Sequence, residues 1–197
     1  MRFSFFSFRQ KPWFGFLMLA VVGLVALGMM FRGFEDNRRQ QALREQGFVV
    51  VKSDWEWNKT LSPETYRVMR KKETEEPFRN AYYDFFQPGT YRCASCGEPL
   101  FRSTEKYPNE IGWPTFFDSL SPTSVVFTPD NRFGMQRVEI LCASCGGHVG
   151  YLYQDGPPPT GKRYLANSAA LLFEPSPTTL EQFLGSATLS DFPVPNP

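Results

Sequence analysis

Met135–Gly150, MQRVEILCASCGGHVG, decides how the chain reads, because Gly89–Phe101, GTYRCASCGEPLF, repeats its centre. Both contain Cys-Ala-Ser-Cys-Gly, with Cys93 and Cys96 in one knuckle and Cys142 and Cys145 in the other. These are all four cysteines of the chain. Two Cys-x-x-Cys pairs suit one tetrahedral structural zinc per chain, whose four positions they fill, leaving none open for a substrate. Gly97 and Gly146 follow the second cysteine of each pair, where glycine lets the backbone turn tightly around an ion. A redox dithiol and two disulfides are the rival readings. A redox Cys-x-x-Cys opens a helix in a βαβ setting, and neither pair has such surroundings. With a metal holding every thiol, none remains to act as a nucleophile.

Outward from the knuckles, rings and turn formers dominate: the chain is 16% aromatic, with 20 Phe, 15 Gly and 17 Pro among 197 residues. That balance predicts short strands joined by irregular loops. Strands are expected at 90–92, 124–128, 135–141, 149–153 and 171–174, with a further short one at 48–52. Ser62-Pro63-Glu64-Thr65 opens a short helix, with Ser62 at the N-cap and Pro63 at the first position. A formal net charge of +1 creates no global field towards nucleic acid.

The N-terminal region is of another kind. From Trp13 to Phe31 the chain reads WFGFLMLAVVGLVALGMMF, without one charged side chain. As a helix it is about 28 Å long, enough to cross most of a ~30 Å hydrocarbon core. Apolar on every face, it reads as a single transmembrane anchor rather than a core helix. A cleaved signal peptide is the rival, but the run outlasts the apolar region of such a segment. Flanking positive charge is nearly balanced between Arg2, Arg9 and Lys11 before and Arg32, Arg38, Arg39 and Arg44 after. A short tail favours an inside N-terminus and an extracytoplasmic domain. Free thiol pairs favour a reducing compartment unless zinc already holds them. EDNRRQQALREQ, from Glu35 to Gln46, lacks an apolar stripe and reads as a solvated spacer. The expected organisation is a tail and anchor at 1–32, a polar spacer at 33–60, a zinc-binding domain at 61–175 and a Pro-rich tail at 176–197. That last tail carries one helical turn near 180–184.

Five motifs, in order, resemble the methionine sulfoxide reductase B family, which reduces the R epimer of methionine sulfoxide in peptides. LSPETYRVMRKKETEEPF, from Leu61, is similar to the family's opening helix and its TE-x-PF loop. GTYRCASCGEPLF and MQRVEILCASCGGHVG are similar to its two zinc knuckles. Gly112–Phe116, GWPTF, resembles the loop bearing a substrate-facing tryptophan, and DGPPPTGKRYLANSAALLF resembles the terminal catalytic segment. The resemblance implies a mainly β fold, a twisted antiparallel β-sandwich or "β-tent" tied by zinc. It also implies roles in protein repair and oxidative stress.

Three positions depart from the family pattern. Leu165, in Arg163-Tyr164-Leu165-Ala166-Asn167, stands where the family has its nucleophilic cysteine. Ile111 stands where many members place a resolving cysteine, and Tyr151 replaces the second histidine of His-x-Gly-His, of which His148 is the first. Leucine offers no lone pair to a sulfoxide sulfur. The expectation is therefore a pocket of Trp113, His148, Tyr151, Arg163 and Asn167 that binds methionine-R-sulfoxide, in a peptide or as a similar small ligand, without thiol catalysis. By the resemblance, Trp113 faces the sulfoxide methyl group. Two alternatives stand beside it: an active peptide-methionine (R)-S-oxide reductase using an external thiol, and a structural or assembly factor with a vestigial pocket.

Overall fold

The computed structural model describes residues 13–177, so the turn expected near 180–184 lies outside the described residues. The chain divides into two units, Met1–Gln41 and Ala42–Pro197. Most of the first is helix α1, Trp13–Glu45, which runs through the charged stretch without a break. From Met18 onward its successive Met, Leu and Val side chains are exposed, so apolar surface faces outward all round. Met18–Glu45 is long and apolar enough to cross a membrane, and it is the one such segment among the described residues.

The second unit opens with two short helices. α2, Asp54–Thr60, begins at a reciprocal capping box: Ser53 accepts from the Glu56 amide, and the Glu56 carboxylate accepts from the Ser53 amide. α3, Pro63–Lys71, begins at Ser62, whose hydroxyl oxygen accepts from the Thr65 amide, and ends at Lys72 in the left-handed region. The strand expected at 48–52 does not form. The amides of Val49 and Val50 both go to one carbonyl, Ser144 O, instead of alternating along a ladder.

Among the described residues, nine strands make two antiparallel sheets. They are β1 (Gly89–Cys93), β2 (Pro99–Arg102), β3 (Lys106–Tyr107), β4 (Thr115–Phe116), β5 (Val125–Asp130), β6 (Arg137–Cys142), β7 (His148–Tyr153), β8 (Arg163–Ala166) and β9 (Leu171–Pro175). The smaller sheet has the order β2-β1-β9 and the larger the order β3-β4-β8-β7-β6-β5. Rings from the two sheets meet in the core: Phe101 of β2 stacks on Phe116 of β4 with centroids 4.4 Å apart. Tyr91 of β1 meets Phe116 edge-on at 5.1 Å. Tyr91, Phe101, Phe116 and Ile140 are fully buried there. Large rings at low rotamer cost let a domain with such short strands bury enough surface to stand. The fold is mainly β, as the motifs imply.

Candidate metal centre and ligand pocket

The knuckles are matching turns on different sheets. β1 ends at Cys93 and β6 at Cys142, and each then closes the same way. The Cys93 amide donates to Glu98 O and the Gly97 amide to Cys93 O; Cys142, Gly147 and Gly146 repeat both bonds. Gly97 and Gly146 take positive φ, +79° and +66°, as the turn requires. The four Sγ atoms converge within 4.8 Å of one another. Cys93 Sγ and Cys145 Sγ are 3.7 Å apart, Cys96 Sγ and Cys142 Sγ 3.6 Å. All four cysteines are free. Disulfide sulfurs lie at about 2.05 Å, so the cluster is not a pair of disulfides. Contact with Cys142 is the largest influence both in pushing the Cys93 thiol up and in pulling the Cys145 thiol down. Sulfurs crowded in this way can hold a metal ion.

A second convergence lies across the larger sheet. Thr115, Leu165, Tyr151 and Glu139 are directly paired in that order across β4, β8, β7 and β6. Paired residues share a face, so Leu165 is flanked by Thr115 and Tyr151. The buried His148 ring sits edge-on to Tyr151 at 5.2 Å between centroids. Its Nδ1 is 2.8 Å from Glu139 Oε1, and its Nε2 has no partner among the described residues. Burial pushes the Glu139 carboxyl up, but bonds from His148 and Lys72 outweigh it and hold the group below its ordinary value. With Glu139 ionised, Nδ1 carries the proton and donates it.

Residues 61–175 match the SelR domain. Over 126 residues the chain is 47% identical to "Peptide methionine sulfoxide reductase MsrB" of Agrobacterium fabrum, covering 64% of this chain and 93% of that protein. The chain belongs to the methionine sulfoxide reductase B family. An archaeal relative, "Peptide methionine sulfoxide reductase MsrB" of Methanosarcina barkeri, is 46% identical over 64% of this chain and 88% of its own. "Methionine-R-sulfoxide reductase B3, mitochondrial" of Mus musculus is 46% identical over 64% of this chain and 50% of its own.

Within this reductase B fold the remaining expected residues are placed as follows. The Tyr151 hydroxyl donates to Asp130 Oδ2 at 2.9 Å, and the Arg137 guanidinium lies 4.2 Å over its ring. Asp130 also accepts from the Arg132 backbone amide and from both the Arg132 and Arg137 guanidiniums, at 2.9–3.0 Å. Arg132 above all holds its carboxyl well below the usual carboxylate range. A hydroxyl has one proton, and Tyr151 has already given it to Asp130. Arg163, two residues before Leu165, binds Asp155 through Nε and Nη2 at 2.8 and 2.7 Å. Ile111 is half-buried and donates its amide to Asn109 Oδ1 at 2.8 Å. Asn109 in turn donates to Thr115 Oγ1 at 2.8 Å, which ties the Ile111 loop to the strand beside Leu165.

Glu75 joins the rest, and sequence reasoning did not single it out. Trp113 Nε1 donates to Glu75 O at 3.2 Å, and the Glu75 amide donates to Asn167 Oδ1 at 3.3 Å. The Asn167 Nδ2 donates to Val149 O at 3.1 Å. The buried Glu75 carboxyl group accepts the amides of Ser168 and Ala169, opening the 3-10 turn Ser168–Ala170. Burial pushes its pKa up to about 7 despite those bonds. The signal was the TE-x-PF stretch, which contains Glu75 but not its partners, Trp113 and Asn167 being far along the chain.

Proposed function

We propose that the chain is a membrane-anchored reductase B-type domain that binds methionine-R-sulfoxide or a similar small ligand and has lost thiol catalysis. One observation carries the reading. Every cysteine is drawn into the metal cluster, while Leu165 occupies the strand position that, by the family resemblance, holds the nucleophile. Reduction by a thiol needs a thiolate to attack sulfur and leave as a sulfenic acid, which a second thiol then condenses to a disulfide. Leucine can do neither. The ligand would rest among Trp113, His148, Tyr151, Arg163 and Asn167, with Tyr151 lending its ring face and oxygen rather than a proton.

Zinc is the ion we assign to the cluster. Four sulfurs at 2.3 Å from a tetrahedral ion are about 3.8 Å apart, close to the separations between the two hairpins. When bound, such an ion supplies folding free energy and offers no open position for chemistry. The apolar run 13–31 of α1 provides the single-pass anchor and the charged stretch from 33 to 46 the spacer; 61–175 is the domain facing out of the cytoplasm, with 48–57 packed against it, and 176–197 a tail.

A second reading draws on the Glu139–His148 pair, whose buried, unpartnered Nε2 would keep a proton-handling group in the pocket. In that reading two external thiols supply two electrons and two protons, releasing sulfide, disulfide and water. Incubation with dabsyl-methionine-R-sulfoxide and dithiothreitol decides between them. No sulfide above a no-protein control is expected, and turnover would overturn the loss of catalysis. Titration of tryptophan fluorescence with the sulfoxide, the other three tryptophans controlled, tests the pocket. A signal unmoved at millimolar ligand would leave the pocket vestigial and the chain a structural factor.

A further inference from the structure

Residues 48–57 precede the matched SelR domain, yet they pack against its second knuckle. The amides of Val49 and Val50 each donate to Ser144 O at 2.9 Å. The buried Phe48 ring covers Gly146, where a Cβ would stand 3.1–3.3 Å from three ring carbons. Trp57, also buried, carries the Arg70 guanidinium 3.8 Å above its ring. Arg70 then reaches the knuckle itself: Nη1 donates to Cys145 O at 3.1 Å and Nη2 to Cys145 Sγ at 3.4 Å. Three consecutive knuckle residues, Ser144, Cys145 and Gly146, are thus held from outside the matched domain or through Arg70.

The chemistry gives this a direction. Four thiolates around a divalent cation leave two negative charges in a largely buried site, a costly arrangement without a compensating cation. A guanidinium within hydrogen-bonding reach of one sulfur offsets part of that charge. Arg is suited to this because its planar fork can bind the carbonyl and the sulfur together while its face rests on an indole. Partners outside the ligand set fix ligand geometry and are worth about 10–100-fold in metal affinity.

We propose that residues 48–57 and Arg70 form a clamp over the second knuckle, in which Arg70, seated on Trp57, is a positioning residue for the Cys145 ligand. Metal retention then depends on the segment that joins α1 to the domain. The inference rests on the metal reading above, and its test separates the two. The full chain in detergent is loaded with zinc, and transfer to a chromophoric chelator is timed; a parallel sample is loaded with cobalt for its sulfur-to-metal charge-transfer band. Arg70→Met is expected to release zinc about 10-fold faster and to shift the cobalt band, with Arg70→Lys restoring part of the rate. Phe48→Ala, which alters only the clamp, is expected to speed release and to raise hydrogen exchange at the Val49 and Val50 amides. Phe127→Ala, on β5, should change neither rate nor band. Should Arg70→Met fail to fold, Phe48→Ala and Arg70→Lys carry the test. Release within roughly twofold of the unaltered chain in the folded variants, with an unmoved cobalt band, overturns the clamp alone. An unaltered chain that takes up neither metal overturns the metal reading and the clamp with it.

Discussion

Leu165 lacks the sulfur that thiol chemistry needs, and Glu75 is a buried carboxyl whose pKa is pushed up to about 7. Leu165 lies between Thr115 and Tyr151, with Arg163 two residues before it and Asn167 two after. Leu165→Cys is therefore expected to yield dithiothreitol-dependent reduction of methionine-R-sulfoxide, while Leu165→Ser stays at baseline. The gain should stop short of full activity, because the Tyr151 hydroxyl is committed to Asp130 and cannot supply the proton an imidazole would. General acid catalysis of that kind is worth at least on the order of 100-fold. Glu75 predicts a pH dependence of stability. Its folded pKa, about 7, lies above the ordinary 4.5, so the native state holds a proton that the unfolded chain releases first. Stability from this group is full below about pH 4.5, falls as pH rises and is lost above about 7. The loss is on the order of 3 kcal/mol. Thermal melts across that window should show the decline, and Glu75→Gln should flatten it. A wild-type melting temperature that rises from pH 5 to 7 would contradict the protonated, buried carboxyl.

At the scale of elements, what was legible in the sequence follows local chemistry. The helix at Ser62-Pro63 and the long β runs were readable because capping residues and alternation are written in neighbours. Strands β2, β3, β4 and β8 were not foreseen as strands. β3 and β4 have only two residues each, and β8, RYLA, has no polar alternation because it is a central strand buried on both sides. α2 was missed although Ser53-x-x-Glu56 is a capping pattern, since the segment beyond it has no apolar period to extend. The candidate site residues were named from the family motifs, but the hydrogen bonds that connect them were not. The Tyr151–Asp130 bond joins strands through a hairpin tip, and Glu75 bridges positions far apart in sequence. Close strand packing also hides in a single glycine. A Cβ on Gly150 would lie 1.9 Å from Leu165 O, a backbone atom that cannot swing aside. Gly150→Ala should force β7 and β8 apart and cost about 3 kcal/mol, read as a lowered denaturation midpoint. An unchanged midpoint would mean that the two strands are not held in this register.

For the molecule as a whole, the question is what ties the two sheets into one domain. Among the contacts that join them are the aromatic stack of Tyr91, Phe101 and Phe116, and the sulfur cluster that draws the β1–β2 hairpin to the β6–β7 hairpin. The stack is worth about 0.5–1.5 kcal/mol per ring pair beyond burial. A structural zinc contributes on the order of 10 kcal/mol at neutral pH, a figure comparable with the entire stability of an ordinary domain. Strands this short cannot supply the difference, and the smaller sheet has only three of them. Stripping the metal with a strong chelator should therefore abolish the cooperative melt and the near-ultraviolet dichroism of the buried rings together. α1, most of which lies in the first unit and whose backbone satisfies itself along the helix, should keep its far-ultraviolet helical signal in detergent. Restoring zinc should return the domain's signals at about one ion per chain. If the metal-free chain still melts cooperatively with its ring dichroism intact, the buried core joins the sheets and the cluster is not what holds the fold.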